Sequence, residues 1–95
     1  MLVCGHIIKD DEIIGIGPLM KNVPNDTLNE FYNKQNIWFE LHLKGHTTRI
    51  ESGWLYLGTD EKDKEATKQR KLYTEFKSGY EQVKAAVMQI IKSPV

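Results

Sequence analysis

Between Ile37 and Leu43 apolar and polar side chains alternate without interruption: Ile37, Phe39, Leu41 and Leu43 against Trp38, Glu40 and His42. Successive strand residues point to opposite faces, so the run predicts a strand that is wholly apolar on one side. A tight turn at Gly45-His46, with glycine in its first central position, would bring a second strand back beside it. Leu43 then lies opposite Thr48, Leu41 opposite Ile50 and His42 opposite Arg49. Moving the turn to Lys44-Gly45 pairs Glu40 with Arg49, a better charge pair, but on this reading forces a positive φ on Lys44. Both registers keep the same residues inside.

A second periodicity governs the last third of the chain. From Leu72 the apolar positions are Leu72, Phe76, Tyr80, Val83, Val87 and Ile90, spaced by three and four residues, which is one stripe of a helix. Gly79 lies inside it and marks a place of close packing against the sheet. Ser93-Pro94 is expected to end the helix. Phe39, Leu41, Leu43 and Ile50 are predicted to form the core together with Leu72, Phe76, Tyr80, Val83 and Val87.

The amino-terminal third predicts further strands. Two β-branched pairs, Ile7-Ile8 and Ile13-Ile14, flank Asp10-Asp11-Glu12, a pattern of strand, turn and strand. Gly15-Ile16-Gly17-Pro18 then calls for a bulge or a strand end. Asn-rich residues 22–36 contain Thr27-Leu28-Asn29-Glu30, which has the form of a capping box. A short helical insertion is therefore expected near residues 27–35, with Leu28, Phe31 and Tyr32 folded over the sheet. After Gly53, Trp54-Leu55-Tyr56-Leu57 reads as one more short strand. The expected fold is α+β: an antiparallel sheet of about four to five strands with a long C-terminal helix packed on one face. Residues 1–95 are expected to make a single domain.

Charge and cysteine content narrow the function classes. Lys plus Arg and Asp plus Glu number 13 each, so any nucleic-acid role would need a local basic patch. Residues 1–40 carry 3 basic and 6 acidic side chains, and residues 41–95 carry 10 and 7, giving halves of −3 and +3. Cys4 is the one cysteine, which excludes an intramolecular disulfide and fits a reducing cytoplasm. The first residues show neither a basic leader nor a lipoprotein box, and no apolar run has the length of a membrane span.

Candidate chemistry is sparse. Cys4, His6, His42 and His46 are zinc-ligand types, but their spacing does not converge, so no metal is expected. Cys4 sits beside apolar Leu2 and Val3, which suits a small buried thiol better than a nucleophile. The acidic trio lacks the spacing of a calcium loop, and Gly15-Ile16-Gly17 lacks the third glycine and following helix of a dinucleotide fingerprint. Ser93-Pro94-Val95 matches a carboxylate-capture peptide only in outline. The polar face of the central hairpin stands out, because large aromatics beside arginine are enriched where proteins grip one another. Trp38, His42, Arg49 and Trp54 are the expected binding residues, Glu40 shares the face, and Tyr56 is a further candidate. A competing expectation is that residues 22–36 cover Trp38 and make it part of the core.

These features predict a noncatalytic protein-interaction or ligand-binding module without a cofactor. Its expected partner is another protein or a second copy of the chain, with no membrane role. A small enzyme using Cys4 or a histidine with nearby carboxylates is one alternative. An accessory nucleic-acid binder using the Lys62–Lys77 surface is another.

Overall fold

The computed structural model describes residues 1–24 and 33–92. Its order is β1 (Leu2–Val3), β2 (His6–Ile7), a 3-10 turn (Asp10–Glu12), β3 (Ile13–Ile16), β4 (Met20–Asn22), β5 (Lys34–Leu43), β6 (His46–Glu51), β7 (Leu55–Tyr56) and α1 (Lys64–Lys92). β5 is the spine of a five-stranded antiparallel sheet. β3 and β4 pair with its two ends, while β6 and β7 also pair with it. The helix lies across one face, so the fold is α+β.

Alternation along β5 has the predicted consequence. Ile37, Phe39, Leu41 and Leu43 are buried, and Trp38, Glu40 and His42 are half-buried on the other face. Phe39, Leu41, Leu43 and Ile50 form one cluster with Val3, Ile13, Tyr80, Val83 and Val87, against which Phe76 and Ile90 pack. Phe39 meets Tyr80 edge-on at 4.9 Å between ring centroids and Phe76 at 5.9 Å. Leu72 departs from the predicted core: it is 53% exposed, because the stripe reaches the sheet centre only from Phe76 onward.

The hairpin takes the second of the two registers. Leu43 faces His46, Glu40 faces Arg49 and Trp38 faces Glu51, with Lys44-Gly45 in the turn. Lys44 does not have a positive φ; Gly45 has it, at 87°. Glycine thus occupies the second central position, as a type II turn requires, and the steric objection to this register disappears.

The amino terminus differs from the expected strand, turn and strand around the acidic trio. Ile7 pairs back with Leu2 and His6 with Val3, making a separate two-stranded hairpin closed by Cys4-Gly5. Both turn residues have positive φ, 46° and 87°, the backbone combination of a type I′ turn. Ile13 pairs with Leu43 instead, and Asp10–Glu12 forms the connecting 3-10 turn. The strand end expected at Gly15-Ile16-Gly17-Pro18 is present, since β3 stops at Ile16 and Gly17, Pro18 and Leu19 separate it from β4, while the register shift falls earlier, between Ile13 and Gly15. Tyr80 Oη from the helix donates to the Gly17 carbonyl at 2.9 Å. A helix residue thereby satisfies a carbonyl at the strand break.

The capping box and most of the helical insertion expected near residues 27–35 lie outside the described residues. Where description resumes, Asn33 has a φ of 49°, and Lys34 and Gln35 belong to β5. At the other end, Ser93-Pro94 also lies outside the described residues.

The helix begins at Lys64, eight residues before Leu72, and its start is held by Asp63. One carboxylate oxygen accepts from the Glu65 and Ala66 amides at 3.0 and 3.2 Å. The other accepts from Tyr56 Oη at 2.7 Å, tying the cap to β7. The Tyr56 hydroxyl first, then the Ala66 amide, the Glu65 amide and the Arg70 charge, hold the Asp63 carboxyl below its ordinary range. A depressed folded-state pKa stabilises the protein above the unfolded carboxylate value of about 3.9, and that contribution is lost as pH falls through the folded value. Asp63→Asn keeps a capping oxygen but removes the charge. Urea denaturation at a series of pH values is expected to show a stability deficit for Asp63→Asn at pH 7 that closes below about pH 4. An equal deficit at pH 7 and at the acid end would refute the charge contribution.

Candidate functional site

The outer face of the sheet is assembled by three strands. β5 supplies Asn36, Trp38, Glu40 and His42, β6 supplies Thr47, Arg49 and Glu51, and β4 supplies Asn22. The Arg49 guanidinium lies 3.8 Å from the centroid of the Trp38 ring and 3.0 Å from a Glu51 carboxylate oxygen. With its carboxamide oxygen turned toward the pair, Asn22 accepts from Trp38 Nε1 at 3.3 Å and from Arg49 at 3.1 Å. That orientation is assigned from the donors around it. Glu51 also accepts from Asn36 Nδ2 at 3.1 Å. Trp38 is therefore neither a free anchor nor a core residue: it is half-buried, with a cation laid on its exposed face. Arg49 and Glu51 remain almost half-exposed, at 44% and 45%.

The expected Glu40–Arg49 relation holds in register but not in contact. The strands place the two opposite each other, while the guanidinium turns along its own strand to Glu51 and across to Trp38. Stacking on the indole is available to a planar guanidinium and contributes about 0.5–1 kcal/mol at an exposed site.

Beside the pair lies a depression of about 220 Å³ lined by Gly17, Pro18, Met20, Trp38 and Glu40. Gly17 keeps its floor low: a Cβ there would lie 3.6 Å from the Glu40 carbonyl oxygen. Gly15 lies opposite His42, whose ring would be 3.5 Å from an added Cβ. Gly15 and Gly17 were legible in the sequence only as an irregularity. Their placement beside the polar face depends on the β3–β5 pairing.

The other predicted site residues are not brought together. His42 Nδ1 lies 3.4 Å from Thr47 Oγ1 and marks the far end of the face. Trp54, 54% exposed, lies past the end of β6, between Gly53 and the start of β7. Tyr56 is committed to the Asp63 cap. Among the described residues, no three His, Cys, Asp or Glu side chains are placed to hold a metal ion.

Cys4 is not the buried core thiol expected from its neighbours. It occupies the exposed turn of the first hairpin, with Sγ 3.7 Å from the position of a Cβ on Gly79. Partial burial raises its pKa, which keeps the thiol protonated and weakens it as a nucleophile. It lines an apolar groove of about 500 Å³ with Leu2, Leu55, Leu72, Phe76 and Val83. Cys4 thus belongs to the helix side of the sheet and His42 to the outer side, so they form no nucleophile and base pair.

On the Lys62–Lys77 surface, Arg70 is engaged with the chain itself. Its Nε donates to the Leu57 carbonyl at 2.6 Å and its Nη2 to the Asp60 carbonyl at 2.9 Å. Lys77 lies 5.5 Å from the Tyr73 ring centroid. Among the described residues no helix is long and apolar enough to cross a membrane. Comparison with protein-family models, with curated proteins and with solved structures finds no match.

Proposed function

We propose that this chain is a noncatalytic interaction module that grips a protein partner through the outer face of its central hairpin. One observation carries the reading: Trp38, Arg49 and Glu51 form a preorganised aromatic and charged cluster beside a shallow depression, on the sheet face opposite the helix. Holding the side chains in place before association reduces the rotamer entropy lost on binding. Aromatic and arginine anchors next to a small concavity are the chemistry that dominates protein interfaces. The separation of Cys4 from His42 favours this reading over an enzyme built on that pair. The equal numbers of basic and acidic side chains, and the internal use of Arg70, favour it over a nucleic-acid binder.

The test is capture of partners from the native host, followed by affinity measurement between the purified chain and each identified partner. Trp38→Ala/Arg49→Ala is expected to weaken a true partner at least about a hundredfold, the loss of roughly two anchor contacts. Helical circular dichroism and the melting transition should stay close to wild type. Undiminished affinity in a folded double variant would reject the outer face as the contact surface. Unfolding of the double variant would place Trp38 among the residues that hold the fold.

A further inference from the structure

β6 borders the sheet, and no strand pairs with its outer edge among the described residues. The Ser52 amide donates to the Ile37 carbonyl at 2.8 Å, continuing the β5–β6 ladder. Alternation along an antiparallel ladder then directs the backbone groups of Thr48 and Ile50 toward β5, and those of Thr47, Arg49 and Glu51 outward. The edge has no proline, no lysine and no register shift, so several devices that discourage strand addition are absent.

We propose that a second copy of this chain adds antiparallel along β6, with Arg49 opposite Glu51 of the second copy and Ile50 opposite its own counterpart. This rests on reading the hairpin as an interaction surface, and it names the partner. Only residues with outward backbone groups can face one another in hydrogen-bonded pairs, which limits the registers. Centring the two-fold axis on Arg49 would oppose like charges, which is unfavourable. Centring it on Thr48 would put Arg49 against Thr47 and leave both charges without a cross-strand partner. Centring it on Ile50 sets Arg49 against Glu51 twice, once on each side of the axis, which is the self-complementarity an isologous dimer needs. The two clusters of Trp38, Arg49 and Glu51 then become continuous across the axis.

A ladder this short belongs to the weak, transient class of interfaces. Sedimentation equilibrium of the full chain, from about ten micromolar to about one millimolar, should therefore show a reversible monomer–dimer equilibrium. The buffer is kept reducing, so that Cys4 cannot join two chains. Glu51→Arg, which opposes two arginines, is expected to weaken the dimer at least about tenfold, and Arg49→Glu/Glu51→Arg to recover it. Glu51→Pro, which removes an outward-facing donor while leaving the bonds to β5, should also abolish it. A folded wild type that stays monomeric throughout the range overturns the proposal, as does a double reversal no stronger than Glu51→Arg alone. Neither result touches the broader reading, which survives if another purified protein binds the monomer and Trp38→Ala weakens that binding.

Discussion

Replacing Phe39 with alanine is expected to lower the unfolding free energy by about 3–5 kcal/mol, the range for deleting a buried aromatic ring. Phe39 has no exposed surface and sits where the sheet meets the helix, with Tyr80 edge-on and Phe76 tilted against its ring. Removing it takes away transfer free energy and aromatic contacts together, and leaves a cavity between a strand and a helix that cannot easily approach each other. Chemical denaturation of Phe39→Ala beside Phe39→Leu measures this. The leucine variant keeps most of the apolar volume and should lose clearly less. A loss below about 1 kcal/mol in Phe39→Ala would show that β5 and the helix do not share this core.

Gly58→Ala is expected to be comparably damaging, by about 2–6 kcal/mol, from two causes that act at once. Gly58 has a φ of 63°, and a non-glycine residue held in such a region costs about 1–3 kcal/mol. An added Cβ would also lie 2.8 Å from the Ala66 Cβ, a fully buried atom on the first turns of the helix. Relief requires moving the helix start, which Asp63, Tyr56 and Arg70 anchor to the segment around Gly58, so overpacking adds about 1–3 kcal/mol. Gly45→Ala is the control. Its φ is 87°, yet nothing lies within 4 Å of the added carbon, so it reports the conformational cost in the absence of a clash. Equal losses in the two variants would mean that the helix start yields freely.

What could be read in advance was whatever a simple period encodes. The alternation through Ile37–Leu43 identified the inner face of β5, because a strand repeats every two residues whatever surrounds it. The stripe from Phe76 to Ile90 identified the inner face of the helix for the same reason. Register is not periodic information. The two hairpin alignments buried the same side chains, and the one adopted puts glycine second in the turn, where primed turn types are the usual preference.

The candidate site followed the same division. Trp38 and Arg49 were visible as residues of one strand face, but whether the guanidinium would meet Glu40 or the indole depended on the side-chain geometry across β4, β5 and β6. The apolar neighbours of Cys4 suggest burial, whereas the pairing of Leu2–Val3 with His6–Ile7 makes it a turn residue with positive φ. Asp63 carried no periodic signal, and its role as helix cap emerged only once Tyr56 and the helix start were brought beside it. Local sequence therefore determined which side of each long element faces the core, since that depends on intrinsic strand and helix periods. Tertiary structure decided the registers, the turn at Cys4 and the cluster around Trp38, since each depends on contacts between segments that no single segment's pattern specifies.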